Sequence, residues 1–189
     1  MRNGKHLKSN GNIEWYLDGQ LHRNDGPALI WPDGTQFWYR HDSIHRDDGP
    51  AVCTPAGYNV WYSNGLKHRE DGPAAIDLVE GTFEWYYLDK RHRIDGPAVI
   101  GTNGVKHWYQ HGILHRTDGP ASIDNIGTET WYVNGLCHRT DGPALILRDG
   151  TCYWHVQNIR ASSADEFQEL TGCSREYLVM LILKYGEIK

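Results

Sequence analysis

The stretch LHRNDGPALI, Leu21–Ile30, returns five more times in this chain of 189 residues in nearly the same letters. The shared core is His-Arg-x-Asp-Gly-Pro-Ala, and successive histidines are 23, 23, 24, 23 and 23 residues apart. A tryptophan stands seven residues before the histidine of each copy. A fixed period of this length is typical of repeat proteins, in which each copy forms one supersecondary unit.

Two turn signals divide each copy. One follows the Trp-Tyr pair, as at Asn64-Gly65, and the other precedes the next strand, as at Asp149-Gly150. Asn-Gly and Asp-Gly between strand-forming residues favour type I′ hairpins. We therefore predict an all-β repeat array over residues 1–160, an elongated antiparallel meander of about seven 23-residue hairpin units. At about 4.8 Å per strand, about fourteen strands would extend roughly 65 Å. The extra residue in DLVEGTFE, residues 77–84, predicts a bulge or a longer turn.

The repeated polar residues are assigned to the structure of the repeat. They are His22, Arg23, Asp25, His45, Arg46, Asp48, His68, Arg69, Asp71, His92, Arg93, Asp95, His115, Arg116, Asp118, His138, Arg139 and Asp141. The aspartate is expected to begin a turn, and the histidine and arginine to bond to neighbouring carbonyls or to that carboxylate.

The same residues are unsuited to catalysis or metal binding. Equivalent residues of successive units lie about 9.6 Å apart, two strands away, whereas the ligands of one metal lie within about 2.3 Å of it. Six like copies also lack the distinct acid, base and nucleophile of a catalytic site. We predict no enzymatic activity, no metal and no cofactor.

The pattern changes after Ile159, and residues 161–189 are predicted to be helical. Ser163 to Glu166 forms a capping box, and Gly172 is a helix stop. Ser174 would cap a second helix whose apolar face carries Tyr177, Leu178, Leu181 and Tyr185. This segment either caps the last repeat or serves as a docking or dimerisation element.

The stretch FWYRHDSIHRDDGPAV, residues 37–52, resembles the MORN repeat, with H-R-x-D-G-P-A in place of the usual H-G-x-G. The resemblance covers roughly Asn12 to Ile159. Arrays of this variant are similar to repeat proteins of tailed phages and giant viruses. The resemblance implies a phage-encoded protein whose partner is a host protein, with inhibition of a defence system as the outcome. Because the motif departs from the usual form, the lipid-binding and scaffolding roles of eukaryotic MORN proteins are not carried over.

Charge and hydropathy restrict the partners. The formal net charge of −5 is spread along the chain, unlike the basic face of a nucleic-acid-binding protein. No apolar run reaches the roughly 18 residues of a membrane span. The four cysteines form no CxxC pair, which is typical of reduced thiols in the cytoplasm. We expect a cytoplasmic protein that binds neither nucleic acid nor membrane.

Two features suggest binding surfaces. Trp and the following Tyr point to opposite faces of a strand, so either each face of the sheet presents an aromatic stripe or flanking side chains cover the rings. Two units also depart from the Asn-Gly turn, which marks either partner contacts or tolerated drift. The candidate contact residues are Trp31, Arg40, His41, Asp42, Tyr87, Leu88, Asp89, Lys90 and Arg91.

The sequence thus favours a non-enzymatic protein that binds and occludes a host protein. One alternative is a sponge for a nucleotide signal, with tryptophan stacking on the base and arginine on the phosphate at the sheet–helix junction or between protomers. Another is a structural protein that assembles through its sheet edges or its C-terminal helix.

Overall fold

The structure, a computed structural model, describes residues 2–188. It divides into two compact units, residues 2–92 and 93–188. Both are built from antiparallel β-hairpins, and two short helices follow the strands of the second unit. The predicted all-β hairpin array with a helical C-terminal segment is confirmed. The extra residue of the 77–84 stretch lies in the turn Leu78–Gly81, where Oδ1 of Asp77 accepts hydrogen bonds from the backbone of Val79 and Glu80.

The first unit contains fifteen of the strands in the described chain. They are β1 Gly4–Leu7, β2 Ile13–Leu17, β3 Gln20–Leu21, β4 Leu29–Ile30, β5 Gln36–Phe37, β6 Tyr39–Arg40, β7 Ser43–Ile44, β8 Val52–Cys53, β9 Tyr58–Val60, β10 Tyr62–Ser63, β11 Leu66–Lys67, β12 Ala75–Asp77, β13 Thr82–Glu84, β14 Tyr86–Tyr87 and β15 Lys90–Arg91. The sheet of this unit is a meander in the order β1-β2-β4-β5-β8-β9-β12-β13. Of the strands left out of this path, β3 pairs with β2, and the others form two-residue ribbons, such as β6 with β7.

The second unit continues the pattern and adds the helices. Its elements are β16 Val99–Ile100, the 3₁₀ turn Thr102–Gly104, β17 Lys106–His107, β18 Tyr109–Gln110, β19 Ile113–Leu114, β20 Ser122–Ile123, β21 Glu129–Thr130, β22 Tyr132–Val133, β23 Leu136–Cys137, β24 Leu145–Ile146, β25 Cys152–Val156, β26 Ile159–Ala161, α1 Ala164–Thr171 and α2 Arg175–Tyr185. Its sheet runs β16-β17-β20-β21-β24-β25-β26, and β18/β19 and β22/β23 are its ribbons.

Most repeats therefore contain four short strands, and the prediction of two strands a unit is wrong. The tryptophan separates the sheet strand from the ribbon strand. The amide of Trp38 donates to the carbonyl of Ala51, 2.8 Å away, and its carbonyl accepts from the amide of His45, 3.0 Å away. The N–H group of Trp38 thus bonds toward the sheet, and its C=O group bonds toward the ribbon. The chain leaves the sheet at this residue and continues in the ribbon.

The motif alanines form the tightest part of each unit. Ala28, Ala51, Ala74, Ala98, Ala121 and Ala144 are fully buried. The carbonyl of each of five of these alanines accepts from the amide of a repeat tryptophan, as Ala51 does from Trp38 at 2.8 Å. This packing explains why the motif ends in alanine.

A larger apolar core lies beneath the two helices. Trp154 and Phe167 are completely buried there, with Leu178 and Leu181 packed against them. The predicted helix signals are correct: Ser163 and Ser174 accept hydrogen bonds from Glu166 and Tyr177, and Gly172 ends α1 in a left-handed conformation. The capping box is shifted by one residue, because the Glu166 carboxylate accepts from Ser162 rather than Ser163. Of the predicted apolar face, Tyr177 is exposed, and Tyr185 packs at the edge of the core.

Candidate functional site

The motif arginines lie flat against the tryptophans of their own repeats. The Arg46 guanidinium carbon is 4.2 Å from the centroid of the Trp38 ring. The corresponding distance is 4.1 to 4.3 Å for Arg23 on Trp15, Arg69 on Trp61, Arg116 on Trp108 and Arg139 on Trp131. A guanidinium at this distance makes a cation–π contact and covers one face of the indole.

The rest of the motif holds the guanidinium in place. Nε of Arg46 donates to Oδ1 of Asp48 at 2.8 Å, and Nη1 donates to the carbonyl of Pro50 at 3.3 Å. A Cβ added at Gly49 would lie 3.0 Å from the guanidinium carbon of Arg46. The same contacts recur in the other copies, so Arg, Asp, Gly and Pro act together as one brace around the tryptophan.

The motif histidines connect neighbouring repeats. Nδ1 of His45 accepts from the amide of Asn64, 3.0 Å away, and Nδ1 of His115 accepts from the amide of Asn134, 3.1 Å away. His22 and His138 make the same contact with residues 41 and 157. The sequence predicts that these histidines bond to neighbouring carbonyls or to the motif aspartate. Nδ1 instead accepts from a backbone amide, and Nε2 of His22 and of His45 bonds to the side chains of Asn24 and Asp47. The histidine therefore fixes the turn of the next ribbon.

The described residues contain no group of three or more His, Cys, Asp or Glu side chains placed to hold a metal ion. Each brace aspartate bonds to the arginine of its own repeat, and four of the motif histidines bond to the adjacent repeat.

The two deviant turns have a structural role that the sequence does not reveal. His41 and Asp42 both have positive φ, as do Leu88 and Asp89, so both turns keep the backbone of the Asn-Gly turns. Oδ1 of Asp42 accepts from the amide of Leu21 at 2.7 Å, and Oδ1 of Asp89 accepts from the amide of Lys67 at 2.7 Å. Glycine has no such acceptor, so the two aspartates add a hydrogen bond that an Asn-Gly turn cannot make.

The other candidate contact residues lie on separate surfaces. Trp31 is in the turn between β4 and β5 and packs on Phe37 with ring centroids 4.6 Å apart. Arg40 pairs with Asp47, and Tyr87 packs on His68 with centroids 4.9 Å apart. Of the remaining candidates, His41, Leu88 and Lys90 are exposed, and Arg91 pairs with Glu84. The structure does not bring Trp31 together with the ribbon residues.

The aromatic stripes are largely covered. The repeat tryptophans carry their arginines, and the tyrosines that follow them are half-buried. Burial raises the pKa of Tyr39, Tyr62 and Tyr132. For Tyr86, burial together with a 2.6 Å hydrogen bond to Glu84 raises the pKa to about 12. These rings therefore belong mainly to the scaffold.

Sequence reasoning did not find the grooves between successive braces. We name four grooves after the tryptophan on their wall: Trp38, Trp61, Trp108 and Trp131. Their volumes are about 660, 540, 590 and 480 Å³, respectively. Each is lined by the arginine, aspartate and glycine of the preceding brace and by the tryptophan, histidine and arginine of the next one.

Two wall positions of the grooves change from repeat to repeat. One is the residue between the arginine and the aspartate of the motif, which is Asn24, Asp47, Glu70, Ile94, Thr117 or Thr140. The other lies on the ribbon. It is the second residue after the tryptophan, and it is Arg40, Ser63, Gln110 and Val133 in the four grooves. Its backbone keeps the same place, because it begins the same ribbon turn in each copy. A period-based search for the position that varies beside an otherwise constant tryptophan would have identified it.

Substitution of Asp42 tests the role of the deviant turn. Asp42→Ala should lower the free energy of unfolding by about 1–2 kcal/mol, because it removes one hydrogen bond and leaves a side chain without an acceptor at positive φ. Asp42→Asn keeps the acceptor and should stay within about 0.5 kcal/mol of the wild type. Urea denaturation measures both. Equal stability of the two variants would show that the Asp42 acceptor does not stabilise the turn, and Asp42 would again be a candidate contact residue.

The brace aspartates should make stability depend on pH. Hydrogen bonds from the adjacent arginines lower the pKa of Asp25, Asp48, Asp71, Asp95 and Asp118. A carboxyl whose pKa is lower in the folded state adds stability above its unfolded pKa of about 3.9 and loses it as the pH falls through the folded pKa. The melting temperature should therefore fall between about pH 5 and pH 3. The triple variant Asp48→Asn, Asp71→Asn, Asp118→Asn should show a shallower fall, and an unchanged slope would contradict this linkage.

Burial also sets the reactivity of one thiol. It raises the pKa of Cys137 to about 11, so the thiolate that reacts with alkylating agents is scarce at neutral pH. We expect iodoacetamide to label Cys137 more slowly than Cys152, whose pKa is raised less. Peptide mass mapping of a labelling time course at pH 7.5 measures both rates, and faster labelling of Cys137 would contradict its burial.

Neither α1 nor α2 is long and apolar enough to cross a membrane, and no other helix of residues 2–188 is. A comparison with protein-family models gives no match to this chain. A search of curated proteins gives none either.

Proposed function

We propose that this chain is a non-catalytic, cytoplasmic protein-binding array that occludes a surface of a partner protein. The observation that carries the proposal is the recurrence of one preformed groove with constant braces and variable wall residues, among them Arg40, Ser63, Gln110 or Val133 on the ribbon. A constant frame with a variable position is how repeat scaffolds build binding surfaces. The backbone of each groove is fixed by the histidine and arginine contacts, so binding requires little ordering.

The resemblance to phage repeat proteins supports a bacterial host protein as the partner and inhibition of a defence system as the consequence. Occlusion needs no chemistry from the array, only a surface that stays in place over a functional face of the partner. The nucleotide-sponge alternative has less support, because arginines already cover the tryptophan faces on which a base would stack. The sheet–helix junction is occupied by fully buried Trp154 and Phe167.

The test is affinity capture from a bacterial lysate with the tagged full-length chain, followed by mass spectrometry. One variant fills two grooves with Ser63→Tyr and Val133→Tyr, which the fold should accept because Tyr87 occupies the equivalent position. The matched control carries Ser63→Ala and Val133→Ala. A second variant, His41→Ala with Lys90→Ala, changes the ribbon turns.

A stoichiometric protein that is retained by the alanine control and lost by the tyrosine variant would support the proposal. Capture lost only in the ribbon-turn variant would support binding and move the surface from the grooves to the turns. Absence of any stoichiometric protein from lysates of the host would count against the proposed function.

A further inference from the structure

The last repeat shows a groove of this kind with an occupant. Its walls are the brace of Arg139 and Gly142 on one side and Trp154 on the other, and we call it the Trp154 groove. The side chain of Tyr185, in the last turn of α2, lies in it. Its hydroxyl accepts a hydrogen bond from Nη2 of Arg139 at 3.1 Å.

The ring of Tyr185 also fits closely against the brace. Its centroid is 5.4 Å from the guanidinium carbon of Arg139 and 6.0 Å from the ring centroid of Trp154. A Cβ at position 142 would lie 3.0 Å from Cε2 of Tyr185. The phenol ring therefore lies in the space that is open because residue 142 is glycine. Its hydroxyl accepts from Nη2 of Arg139, which makes no hydrogen bond within the brace.

The other grooves offer the same donor and the same open space. Nε and Nη1 of Arg23, Arg46 and Arg116 are held by their braces. Within residues 2–188, Nη2 of these three side chains makes no hydrogen bond, whereas Nη2 of Arg139 bonds to Tyr185. The Trp38, Trp61 and Trp131 grooves, which these arginines line, contain no side chain in the position of Tyr185.

One wall differs between the filled and the open grooves. Ser162 stands where the other repeats have their arginine, so Trp154 is covered by Phe167, with centroids 4.8 Å apart. The contacts of Tyr185 with Arg139 and Gly142 are not affected, since both residues belong to the preceding brace, whose hydrogen bonds are also made in the Trp38, Trp61 and Trp131 grooves. The contact with Trp154 differs, because the tryptophans of the open grooves are covered by their own arginines.

The carboxylates of the Trp61 groove disfavour an anionic occupant. The Trp61 groove is bordered by the carboxylates of Asp47, Asp48, Glu70 and Asp71, and these side chains are 70 to 85 % exposed. A phosphate or a carboxylate next to them would be repelled. A phenol hydroxyl accepts from the arginine without adding charge.

We propose that the open Trp–Arg grooves each take the tyrosine side chain of a helical segment of the partner protein, in the way that the Trp154 groove takes Tyr185. This assignment rests on the proposed function and specifies the chemistry of the partner. Helical presentation follows from α2, because Tyr185 is the last residue of that helix and contacts the brace from there.

The test uses the full-length ¹⁵N-labelled chain and follows its tryptophan indole N–H signals by NMR. The probes are N-acetyl-tyrosinamide, N-acetyl-phenylalaninamide and AMP. Saturable shifts should appear at Trp38, Trp61 and Trp131, and not at Trp31, which lies in a sheet turn. The tyrosine amide should bind about 3- to 10-fold more tightly than the phenylalanine amide, because only it has the hydroxyl that accepts from Nη2.

A substitution that fills the Trp61 groove tests whether the groove is the binding site. In Ser63→Tyr the new ring should pack on His45, as Tyr87 packs on His68, and both His45 and Ser63 line the Trp61 groove. The Trp61 response should then fall by more than about tenfold in affinity, while the Trp131 response stays as in the wild type. Ser63→Ala should keep both responses, and the unchanged Trp131 signal reports that the variant is folded.

Equal affinity for the two amides, tighter binding of AMP, or an unchanged Trp61 response in Ser63→Tyr would overturn the assignment. Its failure is separable from that of the proposed function. A captured host protein without a selective amide response leaves the binding function standing and removes the tyrosine assignment. A selective amide response without any captured protein supports the groove chemistry and removes the proposed function.

Discussion

Phe167→Ala should lower the free energy of unfolding by about 3–5 kcal/mol, the largest effect of any single substitution considered for this chain. Phe167 is completely buried, and its ring meets that of Trp154 edge to face at 4.8 Å. The two helices are short, and their stability comes from this core rather than from helix propensity. Removing the ring leaves a cavity beneath both helices, so the loss should be visible as earlier unfolding of the second unit in urea.

The matched control lies on the opposite side of the same pair of helices. Leu183 is 82 % exposed, so Leu183→Ala should change the free energy of unfolding by less than about 0.5 kcal/mol. Tryptophan fluorescence and far-UV circular dichroism across a urea titration follow both variants. A loss below about 1 kcal/mol for Phe167→Ala would show that the helices are not held by this core.

Arg46→Ala should lower the free energy of unfolding by about 2–3 kcal/mol, more than is usual for a residue near the surface. The substitution removes the cation–π contact with Trp38 and the hydrogen bonds to Asp48 and to the carbonyl of Pro50. A cation–π contact contributes about 0.5–2 kcal/mol and a hydrogen bond about 0.5–1.5 kcal/mol. Because the Arg46 side chain is only 25 % exposed, solvent replaces these contacts incompletely.

Two further variants separate charge from geometry. Arg46→Lys keeps the charge but cannot donate to both acceptors from a planar group, so it should recover less than half of the loss. Arg148→Ala removes an exposed arginine outside the braces and should be nearly neutral. Thermal and urea unfolding of the three proteins check these values. Full recovery of the free energy of unfolding in Arg46→Lys would show that charge alone, and not the planar geometry of arginine, stabilises the brace.

These expectations separate the scaffold from the surface of the molecule. The motif side chains are engaged in bracing each repeat and connecting it to the next, whereas the groove openings and the variable wall residues are free to differ. Two of the candidate contact residues in the turns, Asp42 and Asp89, belong to the scaffold, because each accepts a backbone hydrogen bond. Under the proposed function, the residues that contact the partner are sought at the walls of the grooves.

The sequence by itself determined the repeat, the hairpin character and the helix boundaries. The 23-residue period, the Asn-Gly and Asp-Gly turns and the serine caps at Ser163 and Ser174 all depend on residues close to one another in the chain. Local turn and cap chemistry is the same wherever the segment is placed in space. For that reason the all-β array and the two helices could be predicted without a structure.

Only the tertiary structure decided how the repeats contact one another and where a ligand could lie. The break at each tryptophan, the bond from His45 to a residue 19 positions later and the bond from Arg139 to a residue 46 positions later depend on contacts across the fold. No local pattern specifies them, because their partners are set by the relative placement of strands and helices. The groove that holds Tyr185, and the open grooves that resemble it, exist only once those distant residues meet.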